Sequence, residues 1–285
     1  MGYEVRELLV EDFPSLLHQI EDPPENLFIS GSLPGPEYKF LCVVGSRKYS
    51  PYGKEVCQKL LSGLAGENIA IVSGLAMGID TIAHEAALAA GLKTVAVPGS
   101  GLDESVLYPR TNLGLAKRIV ASGGALLSEF ELKFRPAPWN FPQRNRIMAG
   151  MSEGALIIEA EEKSGTLITA RLSMEYNREV MVVPGGILSQ NSFGSNNLLK
   201  DGARPVFSSE DILEALGLEK KEKEEKDYKN MGPEEKIIME RLRQPMAKEE
   251  LIALLDMPVT KVNILLSSLE IKGIIKESYG KIVLK

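Results

Sequence analysis

Cysteine and histidine are scarce in this chain of 285 residues, with two of each. Cys42 and Cys57 do not make a disulfide framework, so the reducing cytoplasm is the expected compartment. No run of apolar residues reaches the length that crosses a membrane, and the charged first residues lack the pattern of a signal peptide. The sequence therefore predicts a cytoplasmic protein without membrane association.

The motifs of conventional catalysis are also missing. There is no Ser-His-Asp set, no Cys/His spacing for a metal and no Walker loop, and Gly-x-Gly-x-x-Gly is absent after the first predicted strand. His18 lies among acidic residues, and His84 lies inside a predicted helix, where packing is its expected role. Asp80 and Asp103 follow strand ends, where each can act as a catalytic carboxylate or as a cap. We expect no metal, no cofactor and no enzyme activity.

Positive charge is in short supply, and its distribution is uneven. The net charge is −6, yet residues 1–37 hold eight acidic side chains and one Arg, which leaves the remaining residues at +1. Binding to phosphates requires a local excess of Lys and Arg. An acidic arm on a nearly neutral body is compatible with a basic groove, so composition permits nucleic-acid binding without arguing for it.

Seven short apolar runs rich in Val, Ile and Leu alternate with helical patterns from Lys39 to Leu216. The runs are Phe40–Val44, Ile69–Val72, Thr94–Val97, Ala125–Leu127, Ala155–Ile158, Val180–Val183 and Pro205–Phe207, and the helical patterns include Tyr52–Leu64, Ile79–Ala90, Leu113–Ser122, Arg144–Met151, Leu167–Arg178 and Asp211–Leu216. Continuous apolar strands that alternate with helices predict a mainly parallel sheet covered on both faces. The expected fold class is α/β, an extended Rossmann-like doubly wound sheet, with a C-terminal winged-helix domain. The predicted parts are an acidic N-terminal segment with short helical stretches at best (1–37), the Rossmann-like domain (38–217), a charged linker (218–232) and the winged-helix domain (233–285).

The C-terminal prediction is based on three helical patterns and a hairpin with its turn at Tyr279-Gly280, which together are typical of a winged helix. Its third helix offers only Lys261 and Lys272 as cations, beside Glu270. Reading of duplex DNA is thus poorly supported, and contact with protein or a linking role is favoured. The predicted elements are Glu234–Arg243, Lys248–Leu255, Val259–Lys272, Ile274–Glu277 and Lys281–Leu284.

Four arginines fall where strands end or helices begin, at the rim where open parallel sheets bind ligands. An Arg at a helix start opposes the helix dipole, so stability alone does not favour it there, whereas a bound anion would. The open alternative is an ion pair with Glu129, Glu131 or Glu159. The four are Arg47, Arg110, Arg144 and Arg146.

Other residues at this rim suit a nucleic acid. Gly45 and Ser46 allow close approach of a phosphate to the backbone. Phe141 is a candidate for stacking on a base, a contact that every base can make, while the other aromatic residues nearby are expected to pack in the core. Lys133, in a polar loop, is a candidate contact to the nucleic-acid backbone.

The motifs at these strand ends, taken in order from Lys39 to Phe207, resemble those of the DNA-processing protein A (DprA, or Smf) family. Each motif alone is weak, and their shared order makes the resemblance specific. They are Val44-Gly45-Ser46-Arg47, Ser73-Gly74-Leu75-Ala76-Met77-Gly78-Ile79-Asp80, Tyr108-Pro109, Ser128-Glu129-Phe130, Phe141-Pro142-Gln143-Arg144-Asn145-Arg146, Glu159-Ala160, Ser164-Gly165-Thr166 and Val183-Pro184-Gly185.

The resemblance implies a homodimer that binds and protects incoming single-stranded DNA and loads RecA recombinase onto it in natural transformation. It leaves single-strand-binding protein open as a further partner and places the dimer interface near Phe193–Leu199. By position, Arg47 matches the family arginine most closely tied to DNA, while Arg110 and Lys133 match more loosely. The surrounding groove matches at Gly45, Ser46, Arg144, Asn145 and Arg146.

The chain departs from the family pattern at its start. Many members begin with a helical sterile-alpha-motif-like or helix-hairpin-helix domain, and residues 1–37 are too few for a complete one. Any contribution of that domain to DNA or partner contact is therefore in doubt for this chain.

Two other functions are alternatives to the binding of single-stranded DNA. The first is a nucleotide phosphoribohydrolase of the lysine-decarboxylase-like type, because Pro184-Gly185-Gly186 and Ser164-Gly165-Thr166 are similar to its phosphate loop. In that family these elements are continuous, whereas here they lie on different strands. The second is a regulator whose winged helix reads duplex DNA, which the few cations of the third helix argue against.

Overall fold

The computed structural model describes residues 4–218, 232–242, 246–255, 257–278 and 280–284. Contacts divide the chain into two compact units, Met1–Lys221 and Glu222–Lys285. Residues 219–231, which include nearly all of the predicted charged linker, lie outside the described residues.

The described part of the first unit is built on a nine-stranded sheet in the order β1-β2-β6-β5-β4-β3-β7-β8-β9. Strands β3 to β9 pair in parallel, whereas β2 pairs antiparallel with both β1 and β6. The strands are β1 (Arg6–Leu8), β2 (Leu27–Gly31), β3 (Lys39–Val44), β4 (Ile69–Ser73), β5 (Lys93–Ala96), β6 (Ala125–Ser128), β7 (Gly154–Ile157), β8 (Glu179–Val182) and β9 (Arg204–Pro205).

Both faces of the central strands are buried. Along β3, Leu41 and Val43 contribute to one hydrophobic core, and Cys42 and Val44 contribute to the core on the opposite face. Because successive side chains of a strand point to opposite faces, a strand buried on both sides must be apolar throughout. The predicted Rossmann-like, doubly wound α/β fold is confirmed.

Helices cover the two faces, and most lie within a few residues of their predicted positions. Helix α6 was missed because Ser, Asn and Gly dominate it, residues that favour turns and caps. Packing holds it in place, as shown by the Gly194 amide, which donates to the Ala160 carbonyl at 2.9 Å. The helices are α1 (Pro51–Gly63), α2 (Ile79–Ala89), α3 (Leu113–Ala121), α4 (Asn140–Met151), α5 (Thr166–Glu175), α6 (Gln190–Lys200) and α7 (Ser209–Ala215).

The prediction for residues 1–37, short helical stretches at best, was wrong. These residues supply strands β1 and β2 and the short 3-10 helices Val10–Asp12 and Ser15–Gln19. In β2, Leu27 and Ile29 are fully buried. The four flanking prolines and the acidic composition concealed a strand whose partner, β6, lies almost a hundred residues further on. Pairing over such a distance leaves little local signal in the sequence.

The described part of the second unit contains three helices and a three-stranded sheet in the order β10-β12-β11, the predicted winged-helix arrangement. Lys261 in its third helix and Lys272, which caps the end of that helix, pair with glutamates of its first helix: Lys272 with Glu235 at 2.7 Å, and Lys261 with Glu234. The elements are α8 (Pro233–Arg241), β10 (Met246–Ala247), α9 (Lys248–Leu254), α10 (Val259–Ile271), β11 (Ile275–Ser278) and β12 (Lys281–Leu284).

Among the described residues, no helix combines the length and the apolar character that a bilayer span requires. Cys42 and Cys57 are both buried as free thiols.

Candidate functional site

An open cavity of about 580 Å³ lies at the carboxyl ends of strands β3, β4 and β7. This is the edge at which open α/β sheets bind ligands. It brings together six of the nine residues predicted for the site, namely Gly45, Ser46, Arg47, Phe141, Arg144 and Asn145, and it adds Lys48, Asp80 and Ser164-Gly165-Thr166.

The loop after β3 is held by close packing against the start of α2. A Cβ atom on Gly45 would lie 2.7 Å from the Ile79 side chain, and one on Gly78, whose φ is +91°, would lie 2.5 Å from the Ser46 carbonyl oxygen. The Ile79 amide donates to that same carbonyl at 3.2 Å. The Ser46 hydroxyl accepts from the Lys48 amide at 3.0 Å. These contacts fix the backbone of the loop, and they leave the Arg47 side chain exposed to solvent.

Arg47 is exposed at the cavity and is not used in any ion pair that the structure shows among its described residues. Its guanidinium carbon lies 5.3 Å from the centre of the Phe141 ring, a cation–π contact. The Tyr108 ring packs against the Phe141 ring at a tilt of 48°, with the centroids 5.9 Å apart. A Cβ atom on Gly99 would lie 2.7 Å from the ring, so Gly99 makes room for it. An aromatic face and a free cation therefore meet at one point.

Arg144 is 4% exposed and serves the cavity wall. Its guanidinium donates to the Gly74 carbonyl at 2.6 Å and to the Val97 carbonyl, and its Nε donates to Asn145 Oδ1 at 3.1 Å. Burial lowers its pKa to about 10, and Asp80 opposes that shift. Arg144 lines the cavity as predicted, but its donors hold the ends of β4 and β5 together.

Asp80 is the carboxylate that faces Arg144. It accepts from the Gly74 amide at 3.1 Å. Burial raises its pKa to about 6, while Arg144 acts in the opposite direction. A Cβ atom on Gly74 would lie 2.3 Å from the Arg144 guanidinium, so the turn after β4 requires glycine there. Asp80 therefore caps this turn and balances the buried arginine, which is the capping alternative stated from the sequence.

Arg146 lies outside the cavity. It forms an ion pair with Glu129 and a longer one, 3.4 Å, with Asp22. Two residues along an α-helix correspond to about 200° of rotation, so Arg146 and Arg144 point to different sides of α4. Pairing with Glu129 is one of the alternatives that the sequence left open.

Arg110 and Lys133 do not line the cavity either. Both are exposed, and Arg110 makes one long hydrogen bond, 3.4 Å, to the Ser105 carbonyl. The sequence interpretation missed Lys48, which follows Arg47 and lines the cavity. The sequence could have identified Lys48, because it lies directly after Arg47 in the loop that follows β3.

Glu159, considered above as a partner for the rim arginines, holds Ser50, the residue that caps the N-terminus of α1. It accepts from the Ser50 amide at 2.9 Å and from the Ser50 hydroxyl at 2.5 Å. A Cβ atom on Gly53 would lie 2.3 Å from this carboxylate. A carboxylate at a helix N-terminus is favoured by the helix dipole, so Glu159 is not available to neutralise Arg47.

Two features on which the hydrolase alternative relied are separate in the structure. Ser164-Gly165-Thr166 lines the cavity, whereas the Gly185 amide donates to Asn196 Oδ1 at 3.1 Å, away from the lining residues. Among the described residues there is no group of three His, Cys, Asp or Glu side chains suited to a metal ion.

His84 lies fully buried behind the cavity, beside Thr94. The Thr94 hydroxyl donates to the Ile71 carbonyl at 2.9 Å, so His84 Nδ1, 2.7 Å from that hydroxyl, must carry the proton. Burial lowers the pKa of His84 to about 3 from an ordinary 6.5. His84 has the packing role expected from the sequence.

The first testable prediction concerns this histidine. Between about pH 6.5 and 3 the unfolded chain binds a proton that the folded chain refuses, so His84 makes the protein less stable as the pH falls, by about 1 kcal/mol per pH unit. Asp80 acts oppositely between about pH 4 and 6, because its pKa is raised on folding. Urea unfolding across this range should therefore show a flatter acid side for His84→Asn, which keeps a donor for Thr94. Parallel curves for the two proteins would contradict the prediction.

Comparison with known proteins adds independent information. A family model described as DNA recombination-mediator protein A matches residues 6–217. Protein Smf of Escherichia coli is 43% identical over 206 residues, covering 72% of this chain and 54% of the relative. The DNA processing protein DprA of Streptococcus pneumoniae is 42% identical and is covered to 72%. The chain thus spans about half the length of the E. coli relative.

Solved structures agree with these sequence matches. DNA processing protein A from S. pneumoniae superposes with a TM-score of 0.69 at 40% identity, covering 74% of each chain. That of Helicobacter pylori, whose structural description concerns its single-stranded DNA binding mode, gives a TM-score of 0.66 at 31% identity, covering 75% of this chain and 96% of the other.

Proposed function

Because the chain belongs to the DNA recombination-mediator protein A family, we propose that it binds single-stranded DNA in the cavity at the ends of β3, β4 and β7. One observation carries the proposal: Arg47, exposed and outside the ion pairs of the described residues, lies over the Phe141 ring. The relative from H. pylori, described as binding single-stranded DNA, supports it.

The chemistry of the cavity suits a nucleotide. Arg47 and Lys48 supply positive charge for phosphate. They lie on the loop that begins with Gly45 and Ser46, where a phosphate can approach the backbone closely. Phe141 offers a ring to a base, and stacking does not depend on which base it is. We therefore expect binding that is strongly salt-dependent and weakly sequence-dependent. The test is fluorescence anisotropy of a labelled oligo-thymidine strand and of its duplex at two salt concentrations.

We further propose that strand binding serves recombination. On this proposal the protein is a homodimer that protects incoming single strands and loads RecA recombinase onto them in natural transformation, with single-strand-binding protein as a further partner. The family membership supports this role. RecA filament formation on a strand coated with single-strand-binding protein should become faster when this protein is added.

The proposal is for a binding protein and not for an enzyme. Asp80, the buried carboxylate of the cavity, is engaged by the Gly74 amide and faces Arg144. Release of free base from a nucleoside monophosphate would instead favour the phosphoribohydrolase alternative.

The second prediction tests the Phe141 ring through a glycine. In Gly99→Ala the added methyl group would lie 2.7 Å from the ring and displace it from Arg47. We expect an affinity for the strand that is lower by about fivefold, the low end for loss of one stacked base. Anisotropy measures the affinity, and circular dichroism checks the fold. Gly114→Ala is a matched control, since nothing lies within 4 Å of the added atom. Equal losses in both variants would count against the role of the ring.

A further inference from the structure

The segment of residues 131–139, between β6 and α4, leaves the one tryptophan of the chain in solvent. Trp139 is 70% exposed, and Phe134 in the same segment is 41% exposed. A tryptophan offers a large apolar area for burial, so one that the fold leaves in water is available to a ligand. Its neighbours Pro138 and Phe141 both line the cavity. Trp139 therefore lies in sequence between two residues of the cavity wall.

The backbone that carries Trp139 is fixed. Asn140 is 2% exposed, and its Oδ1 accepts from the Ala137 amide at 2.8 Å, while its own amide donates to the Ala137 carbonyl at 3.0 Å. At the other end of the segment, the carbonyls of Phe134 and Leu132 accept at 2.9 Å from the amides of residues 101 and 103. The exposure of Trp139 thus belongs to an anchored turn, so binding does not have to order the backbone that carries the ring.

The positive charge of the segment favours a single-stranded nucleic acid as the molecule that binds there. Lys133 and Arg135 are exposed, and neither is used in an ion pair found among the described residues. The one acidic side chain, Glu131, lies at the end remote in sequence from Trp139. Stacking rings interleaved with cations form the surface that binds a single strand, the rings taking bases and the cations taking phosphates. The surface is continuous along the chain with the cavity.

We propose that residues 131–139 form a second nucleotide subsite. A base next to the nucleotide held in the cavity stacks on Trp139, and Lys133 and Arg135 contact the phosphates that follow. This subsite rests on the proposed binding of single-stranded DNA in the cavity and extends it along the strand. Of these residues, Arg135 and Trp139 were not expected at the site from the sequence.

The decisive readout is the emission of Trp139, which reports on this subsite alone because the chain has no other tryptophan. Adding an oligo-thymidine strand to the full chain should quench this emission, with the same midpoint as the anisotropy of a labelled strand. Trp139→Ala should bind the strand more weakly by roughly fivefold to a hundredfold, the range for loss of one base–aromatic stack. Trp139→Phe, which keeps an aromatic face, should recover part of that loss.

Controls separate this subsite from the cavity. Phe207→Ala removes a ring that is 74% exposed and does not line the cavity, and should bind like the wild type. Unchanged emission together with wild-type affinity of Trp139→Ala would overturn the subsite, while a loss of binding in Arg47→Ala would leave the cavity standing. Failure of the wild type to bind the strand at all would overturn both proposals.

Discussion

Arg47→Ala should lower the affinity for an oligo-thymidine strand by about tenfold to a hundredfold, the largest loss expected from a single change at the cavity. If Arg47 contacts the strand as proposed, two contacts disappear together: the charge-assisted contact to phosphate, and the cation beside the Phe141 ring, 5.3 Å from its centre. The loss should be similar for every base sequence, because phosphate carries no sequence information. Loss of one phosphate contact should also reduce the slope of log K against log salt by about 0.7.

Anisotropy titrations at several salt concentrations measure both quantities. Lys59→Ala is the matched control, because it removes one exposed positive charge from α1 outside the cavity. Arg47→Lys keeps the charge but not the planar group, so it should fall between wild type and Arg47→Ala. A loss confined to particular sequences, or an equal loss in the Lys59 variant, would contradict the placement of the strand on Arg47.

Arg144→Met should destabilise the first unit by about 3 kcal/mol or more. The change leaves the buried Asp80 carboxylate without its neighbouring positive charge and removes the hydrogen bonds that Arg144 donates to two backbone carbonyls. Urea unfolding followed by circular dichroism measures the loss. Adding Asp80→Asn to this variant should restore part of the stability, because the unpaired charge is removed. This recovery separates a charge effect from simple loss of packing.

The affinity of Arg144→Met for single-stranded DNA tests the role of Arg144 in a second way. If Arg144 acts by holding the carbonyls of Gly74 and Val97, the loss of affinity should follow the loss of structure and be reduced in the double variant. A well-folded double variant that no longer binds would instead show that the guanidinium itself contacts the strand.

The sequence was informative where a signal is local. Apolar runs identified the seven parallel strands, and their order placed the site at the carboxyl ends of these strands. It failed for β2, whose partner is distant in sequence, and for α6, whose stability depends on packing against the loop after β7. Local propensity cannot report on either.

The rim arginines show a similar limit within the site. Arg47, Arg144 and Arg146 have comparable sequence contexts, yet one is exposed, one holds buried carbonyls and one pairs with Glu129. The helical period alone separates Arg144 from Arg146, because two residues turn the side chain to another side of the helix. Which of them faces the cavity depends on how α4 packs, and that is a tertiary property.

The antiparallel strands at the start of the chain have a consequence for how copies of the protein meet. Without β2, strand β6 would present its unpaired amides and carbonyls along an open border, a template for a strand from another molecule. Strand β1, which ends the sheet instead, is three residues long and carries Arg6 and Glu7. A short charged border is a poor template, and the excess of acid in residues 1–37 repels a like surface. Residues 1–37 thus disfavour aggregation by pairing of β-strands between two copies of the protein.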